Sequence, residues 1–258
     1  MTTVESLRTE WDQWHARREA VLSEPHGWLS LTGLHWLDEQ PRHFPGVPGE
    51  WHSDGRTAHV TATADEGLVI DGRVLDGSDS VVVAEQGSAI FATYGDVHLE
   101  VGLRSGRYVL RPRDPQAPTR QSFTGVPAFD VSSEWVVDAE YTPYPAQRSI
   151  TVGTAQEGLR QGTAVDGELR FTLGGVEQTL AVSVDKHVVS FRFSDATSGD
   201  TTAQWRSLTA PLHDGRARLD FNRATNMPFT FSPYGMCPQP PEGNLITVAV
   251  TAGERKPL

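Results

Sequence analysis

The sequence predicts an all-β protein, built mainly of antiparallel sandwich- or barrel-like sheets, with one N-terminal α-helix. Three observations carry that class. Short runs of alternating apolar and polar residues recur from about residue 50 onward. Turn signals separate them at intervals of roughly 8 to 12 residues, the spacing of all-β folds. A helical period is confined to the first two dozen residues. Strands alternating with helices, the mark of a parallel α/β sheet, are not the pattern. At 258 residues the chain is long enough to bury a core without disulfide or metal support.

The helix is expected over residues 3–23. Thr2 and Glu5 stand at capping-box spacing. Val4, Leu7, Trp11, Trp14, Val21 and Leu22 recur at steps of three and four and form one apolar stripe. Arg8, Asp12, Arg17, Arg18 and Glu19 occupy the other side, and Pro25 ends the helix. Residues 27–37 (Gly-Trp-Leu-Ser-Leu-Thr-Gly-Leu-His-Trp-Leu) fit a short helix or a buried strand equally well.

Strands follow. Val60, Ala62 and Ala64 alternate with threonines, and Asp71-Gly72 supplies the positive φ of a tight hairpin turn. The Asp-Gly dipeptide returns at Asp54, Asp76, Asp166 and Asp214. Residues 88–94, 97–103 and 107–113 read as a meander. Prolines at 115, 118 and 127 break the pattern over 114–133, because proline cannot donate to a ladder. Strands resume at 136–141 and 149–152, then at 163–165, 169–173, 178–182 and 188–193, with 216–221 and 245–252 closing the chain. The expected organisation is a helix over 1–24, a β-rich half over 25–113 and a second over 114–258, the last two forming one body or two.

Composition removes several function classes. With 22 Lys and Arg against 33 Asp and Glu, the net charge is −11, which repels a nucleic acid that must be met by basic groups. No apolar run approaches the ~18 residues needed to cross a membrane, and the first residues lack a secretory pattern, so a cytoplasmic location is expected. Cys237 is the only cysteine, which rules out an intrachain disulfide and zinc sites built on two or four cysteines. The nine histidines show no metal-ligand spacing, and glycine-rich phosphate loops and nucleophile elbows are absent. No cofactor and no metal are therefore expected.

Three segments hold candidate ligand-binding residues. Arg111 and Arg113 share strand parity with Arg107, so their guanidiniums point to one face, and Arg120 follows the Asp-Pro turn. Such a face suits a carboxylate or phosphate, or else a solvated set of ion pairs. Asp195 and Ser198 lie in an Asp-Ala-Thr-Ser-Gly-Asp stretch that reads as a cation cradle or as a tight turn. Residues 220–244 bring Asn222, Asn226, Tyr234, Cys237 and Asn244 into a proline-stiffened loop, suited to a pocket wall or to a clamp on its own backbone.

The wording of several segments resembles a known family. They are residues 27–34 (Gly-Trp-Leu-Ser-Leu-Thr-Gly-Leu), Arg111-Pro112-Arg113-Asp114-Pro115 with Arg120 and Phe123, and Asp195 to Gly199. Asp220-Phe221-Asn222-Arg223-Ala224-Thr225-Asn226 and Ser232-Pro233-Tyr234-Gly235-Met236-Cys237-Pro238-Gln239-Pro240-Pro241 with Asn244 follow. Their order is similar to the bacterial and archaeal "domain of unknown function 1684" family. The resemblance implies no reaction, cofactor or catalytic residue. One departure is visible. The family reads Asn-Pro-Pro-Cys where this chain has Asn226-Met227-Pro228-Phe229, so a two-cysteine clamp is not implied here.

The leading expectation is a cytoplasmic β-rich module whose partner is a small polar or anionic molecule, held between the arginine strand and the late loop. A second is a cofactor-independent hydrolase or isomerase, with Asp195 as base, Tyr234 as acid and Arg113 or Arg120 as anion clamp. A third is an interaction protein using Trp11, Trp14, Trp28 and Trp36.

Overall fold

The computed structural model describes residues 4–257. Contacts gather the chain into two compact units: Val21–Phe123, and a second made of the residues up to Ala20 together with Thr124 onward. The helix α1 (Val4–Leu22) buries Leu7, Trp11 and Leu22. Thr2, expected to cap it, lies outside the described residues. Val21 departs from the expected stripe and is 53% exposed. It sits about 100° around the helix from Leu22, and Leu22 takes the inward position.

In Val21–Phe123 the chain forms ten strands: β1 (His35–Trp36), β2 (Arg42–Phe44), β3 (Val47–Ser53), β4 (Ala58–Ala62), β5 (Val69–Ile70), β6 (Arg73–Val74), β7 (Gly77–Val81), β8 (Ser88–Tyr94), β9 (Val97–Arg104) and β10 (Arg107–Arg113). They make two sheets, ordered β1-β10-β9-β8-β5-β6 and β2-β3-β4-β7. Alternation explains the burial: in β3, Val47, Trp51 and Ser53 point inward while Glu50 points to solvent. Both sheets feed one core containing Trp51, Val60, Leu99, Val101, Tyr108 and Leu110. The ambiguous segment after α1 divides. Trp28–Ser30 is a single 3-10 turn, Leu31 makes one bridge to Arg113, and His35–Trp36 is an edge strand. A short helix, α2 (Pro118–Gln121), begins the proline-rich break.

The second unit adds β11 (Val136–Gly153), β12 (Arg160–Leu173), β13 (Val176–Asp185), β14 (Val188–Phe193), β15 (Arg206–His213), β16 (Arg216–Asp220) and β17 (Thr225–Asn226). Their order is β14-β13-β12-β11-β16-β15-β17, and β14 also pairs with β15, which closes six antiparallel strands into a barrel. Leu169, Phe171, Phe191, Phe193, Leu219 and Phe221 fill it. The helix docks on this unit through Trp11, whose Nε1 donates to the Asn222 carbonyl at 2.6 Å.

Three strand expectations are corrected. Residues 136–141 and 149–152 are one strand, β11, with an irregularity between Pro143 and Arg148. Asp166-Gly167 is not a turn but lies inside β12. Gly167 is needed there for close approach, since a Cβ would stand 2.4 Å from the Thr142 carbonyl oxygen. The run 245–252 is not a strand either; it makes a single bridge, Ser194 with Leu245. Side chains replace the ladder. Asp195 accepts from Val250 N, Gln178 accepts from Thr247 N, and Arg206 donates to the carbonyls of Val250 and Ala252. No helix among the described residues is long and apolar enough to cross a membrane.

Candidate functional site

The buried arginines of β10 are engaged within their own sheet and the segment beside it. In the β10–β9 register Arg111 stands directly opposite Glu100. The Glu100 carboxylate takes Arg111 Nη2 on one oxygen and Arg113 Nε, at 2.7 Å, on the other. Arg113 also donates to the carbonyls of His26 and Gly27, at 3.1 and 2.8 Å. Burial would raise the Glu100 carboxyl, but the two guanidiniums outweigh it and hold the group below its ordinary range. Arg120 spends its donors on the carbonyls of Ser23, Glu24 and Pro115.

The other expected residues all lie in the second unit. Asp195 is fully buried, and its carboxylate accepts from Arg206 Nη2 (3.0 Å), Thr197 N (2.8 Å), Thr197 Oγ1 (2.6 Å) and Val250 N (3.2 Å). A carboxylate so enclosed ties chain segments together, as does Ser198, whose hydroxyl accepts from Asp195 N. Asn222 clamps Ser132 on both sides of its amide, accepting from its N–H and donating to its carbonyl. Asn226 donates to the Arg255 carbonyl, and its own N–H reaches Glu254 at 2.6 Å. Tyr234 is half-buried, and its backbone N–H meets Ser232 Oγ at 3.3 Å. Cys237 is buried and in no disulfide.

Asn244 leads to a different place. Its Oδ1 accepts from Ala181 N, and its Nδ2 donates to the carbonyls of Ala181 and Arg192, at 2.8 and 3.0 Å. It thus replaces the ladder between β13 and β14 beyond the Ser183–Ser190 pair, and holds the backbone of Arg192.

Arg192 projects from the outer face of β14 into a cavity of about 160 Å³. Strand pairing builds the walls in rows. Ser183, Ser190 and Thr209 are consecutive cross-strand partners on β13, β14 and β15, and Arg192 stands opposite Ser207. Thr163 of β12, Met227 and Pro241 close the rim. The guanidinium donates from Nε to the Gln239 carbonyl (3.2 Å) and from Nη2 to Thr163 Oγ1 (3.1 Å). Burial lowers its affinity for the proton relative to a free arginine, and Cys237 beside it acts in the opposite direction.

What separates Arg192 from its peers is its counter-charge. Arg206 faces Asp195, Arg111 and Arg113 share Glu100, Arg18 meets Glu254 at 3.1 Å and Arg223 meets Asp220 at 3.2 Å. Arg104 lies in the field of Glu100 and Glu85 and donates to the Gly87 and Leu103 carbonyls, while Arg120 donates to the carbonyls of Ser23, Glu24 and Pro115. Arg192 has no ion pair among the described residues, and it opens on a hollow lined with hydroxyls. Nor do the described residues include three or more His, Cys, Asp or Glu side chains grouped to hold a metal ion.

A family model described as "Protein of unknown function (DUF1684)" matches residues 121–255 of this sequence. The chain belongs to this family. The matched span of the DUF1684 member includes β11 to β17 and every wall of the Arg192 cavity, and leaves out the motif segments at 27–34 and 111–115. The solution NMR structure of an uncharacterized protein of Haloarcula marismortui is similar at 28% identity, over 53% of this chain and 78% of that one, with a TM-score of 0.44. No curated protein matches the sequence.

Sequence reasoning missed Arg192 in this DUF1684 chain because it sought clustered arginines and loops. A signal was present. In Val188-Val189-Ser190-Phe191-Arg192-Phe193 the inward positions are apolar, while the outward ones are Val188, a hydroxyl and a lone cation.

Proposed function

We propose that this protein is a binding module for a small anion, a carboxylate or a phosphate, held by Arg192 on the outer face of the barrel. The observation that carries the reading is a half-buried guanidinium with no carboxylate partner among the described residues, opening on a cavity whose walls include the hydroxyls of Thr163, Ser183, Ser190, Ser207 and Thr209. Of the five N–H donors of a guanidinium, two are engaged by Gln239 and Thr163. The remaining donors suit an oxyanion, which Arg engages in a fork. Ser190 and Thr209 add hydroxyl donors. Burial strengthens the attraction, because a charge pair is worth more away from water. The volume fits a small headgroup rather than a nucleotide: at about 30 Å³ per water it equals roughly five waters.

Of the residues expected from sequence, Asn244 and Cys237 belong to this reading, as the clamp behind Arg192 and as the neighbour of its guanidinium. The enclosure of Asp195 argues for a binding role ahead of acid–base catalysis. The test is thermal unfolding with inorganic phosphate, sulfate and acetate, for the wild type, Arg192→Gln and Thr209→Val. A bound anion raises the wild-type midpoint in proportion to ln(1 + [L]/Kd). The rise should vanish in Arg192→Gln and shrink in Thr209→Val. An unchanged rise in Arg192→Gln would refute the site.

A further inference from the structure

The Arg192 cavity does not end at Thr209. That residue also lines a second, larger hollow of about 450 Å³, whose other walls include Trp14, Val188, Pro211 and Thr225. The two hollows share a floor. On β14 and β15 the outward pairs are Arg192–Ser207, then Ser190–Thr209, then Val188–Pro211. A Ser207–Thr225 hydroxyl contact of 3.1 Å ties the wall of one hollow to the wall of the other. The floor therefore grades from a guanidinium, through two hydroxyls, to an apolar end.

The far end is apolar in effect, although two arginines border it. Arg18 is bound by Glu254 and by the Asn226 carbonyl, at 3.1 and 2.8 Å. Arg223 lies 3.2 Å from Asp220 and carries its guanidinium over the Trp14 ring, 5.9 Å from the centroid. Their charges are met within the protein. What remains for a ligand is the half-buried Trp14 ring, Pro211 and the Val188 side chain, which at 46% exposure is one of the most exposed large apolar residues. Four residues of strand separate the two ends, about 13 Å at ~3.3 Å per residue. An added peptide strand is not the occupant this floor suits. β14 and β15 pair with each other along the whole of Val188–Phe193, so the floor between the two hollows presents side chains, with the shared backbone already committed to its ladder.

We infer that the ligand is an amphipathic monoanion, a carboxylate or phosphate headgroup bearing an unbranched or flat apolar tail that reaches about 10 to 13 Å along β14 and β15. The inference rests on the headgroup site proposed above and adds the tail. Head and tail are engaged by separate residues: Arg192 and Thr209 at one end, Trp14, Val188 and Pro211 at the other.

Calorimetric titration of the full chain with acetate, butyrate, hexanoate, octanoate and 4-phenylbutyrate tests this, beside Arg192→Gln, Val188→Asp and Trp14→Ser. Affinity should climb about fourfold for each methylene that leaves water, the equivalent of ~0.8 kcal/mol, and level off near octanoate. Val188→Asp should abolish the climb along the series, while the acetate that still binds should remain dependent on Arg192. Arg192→Gln should weaken every member of the series. If acetate binds through Arg192 but octanoate binds no better, the tail assignment is overturned and the headgroup site stands. If octanoate binds well and Arg192→Gln changes nothing, both are overturned. Trp14→Ser guards against a misleading loss in Val188→Asp: an unaltered climb in both variants would also refute the tail assignment.

Discussion

Removal of the Asp195 carboxylate should be among the most damaging single changes to the barrel unit. Asp195 and Arg206 are each 0% exposed, 3.0 Å apart. In Asp195→Ala the guanidinium keeps the carbonyls of Val250, Ala252 and Glu254 but loses the carboxylate it pairs with, and its Nε has no hydrogen-bond partner among the described residues even in the wild type. Breaking a buried pair from one side costs about 3–5 kcal/mol. The N–H groups of Thr197 and Val250 lose their acceptor as well, at about 1 kcal/mol or more each when no water replaces it. These losses share partners and do not add fully, so about 4–6 kcal/mol is expected, a large part of a typical folding free energy. Amide hydrogen exchange gives a local readout beside urea unfolding. The backbone at Val250 and Ala252 is fastened by Asp195 and Arg206 in place of a strand ladder, so its protection should collapse in Asp195→Ala before that of β11 or β12. The double variant Asp195→Leu/Arg206→Met removes both charges and should be less destabilised than Asp195→Ala alone. A loss below about 1 kcal/mol in Asp195→Ala, or unchanged protection at Val250, would refute the assignment of this pair as the fastening of the C-terminal segment.

Two further outcomes follow from the geometry. Gly167→Ala places a Cβ 2.4 Å from the Thr142 carbonyl oxygen and 2.6 Å from the Tyr141 ring; the β11–β12 pair must part, with an expected loss of about 1–3 kcal/mol by urea unfolding, and a neutral result would show that the strands yield freely. The two buried glutamates should give opposite pH slopes. Glu100 is held below its ordinary 4.5 once its guanidiniums outweigh burial, so its contribution is complete above that value and fades as pH falls through the lowered one; Glu100→Gln should trail the wild type most near neutrality and close the gap in acid. Burial raises Glu254 above 4.5, against Arg18 and the Asn226 amide, so its contribution is complete below 4.5 and lost as pH rises through the raised value; Glu254→Gln should gain on the wild type over that rise. Urea midpoints between about pH 3 and 7 measure both slopes, and parallel curves for either variant would contradict the charge assignment.

Periodicity made the class and most strands legible. Alternation marks one face of a strand as buried whatever it pairs with, so β4, β8 to β14 and β16 were readable as local patterns, whereas β3 and β15 were not among the expected strands. Expectations failed where a distant group replaced the local rule. The run 245–252 has strand-like residues, but its backbone is claimed by the side chains of Asp195, Arg206 and Gln178. Asp166-Gly167 has turn-like residues, but Tyr141 and Thr142 close over the glycine and the strand runs straight through. The short strands β2 and β17 exist only because β3 and β15 offer an edge.

The same reasoning explains why the site residues were harder to find than the fold. An arginine in a strand is an ion-pair member or an open anion site according to the residue facing it, and register decides which. Arg111 and Arg113 looked like the anion site because they cluster in sequence, but register sets Glu100 directly opposite Arg111, within reach of both. Arg192 stood alone in sequence between two phenylalanines, and register sets Ser207 opposite it, with Asn244 arriving from fifty-two residues away to hold its carbonyl. In a protein with 33 acidic residues, a half-buried arginine that forms an ion pair with none of them among the described residues has been kept from them by the fold. The row Ser183, Ser190 and Thr209 does this, placing hydroxyls in the barrel positions from which a carboxylate would have cancelled the charge.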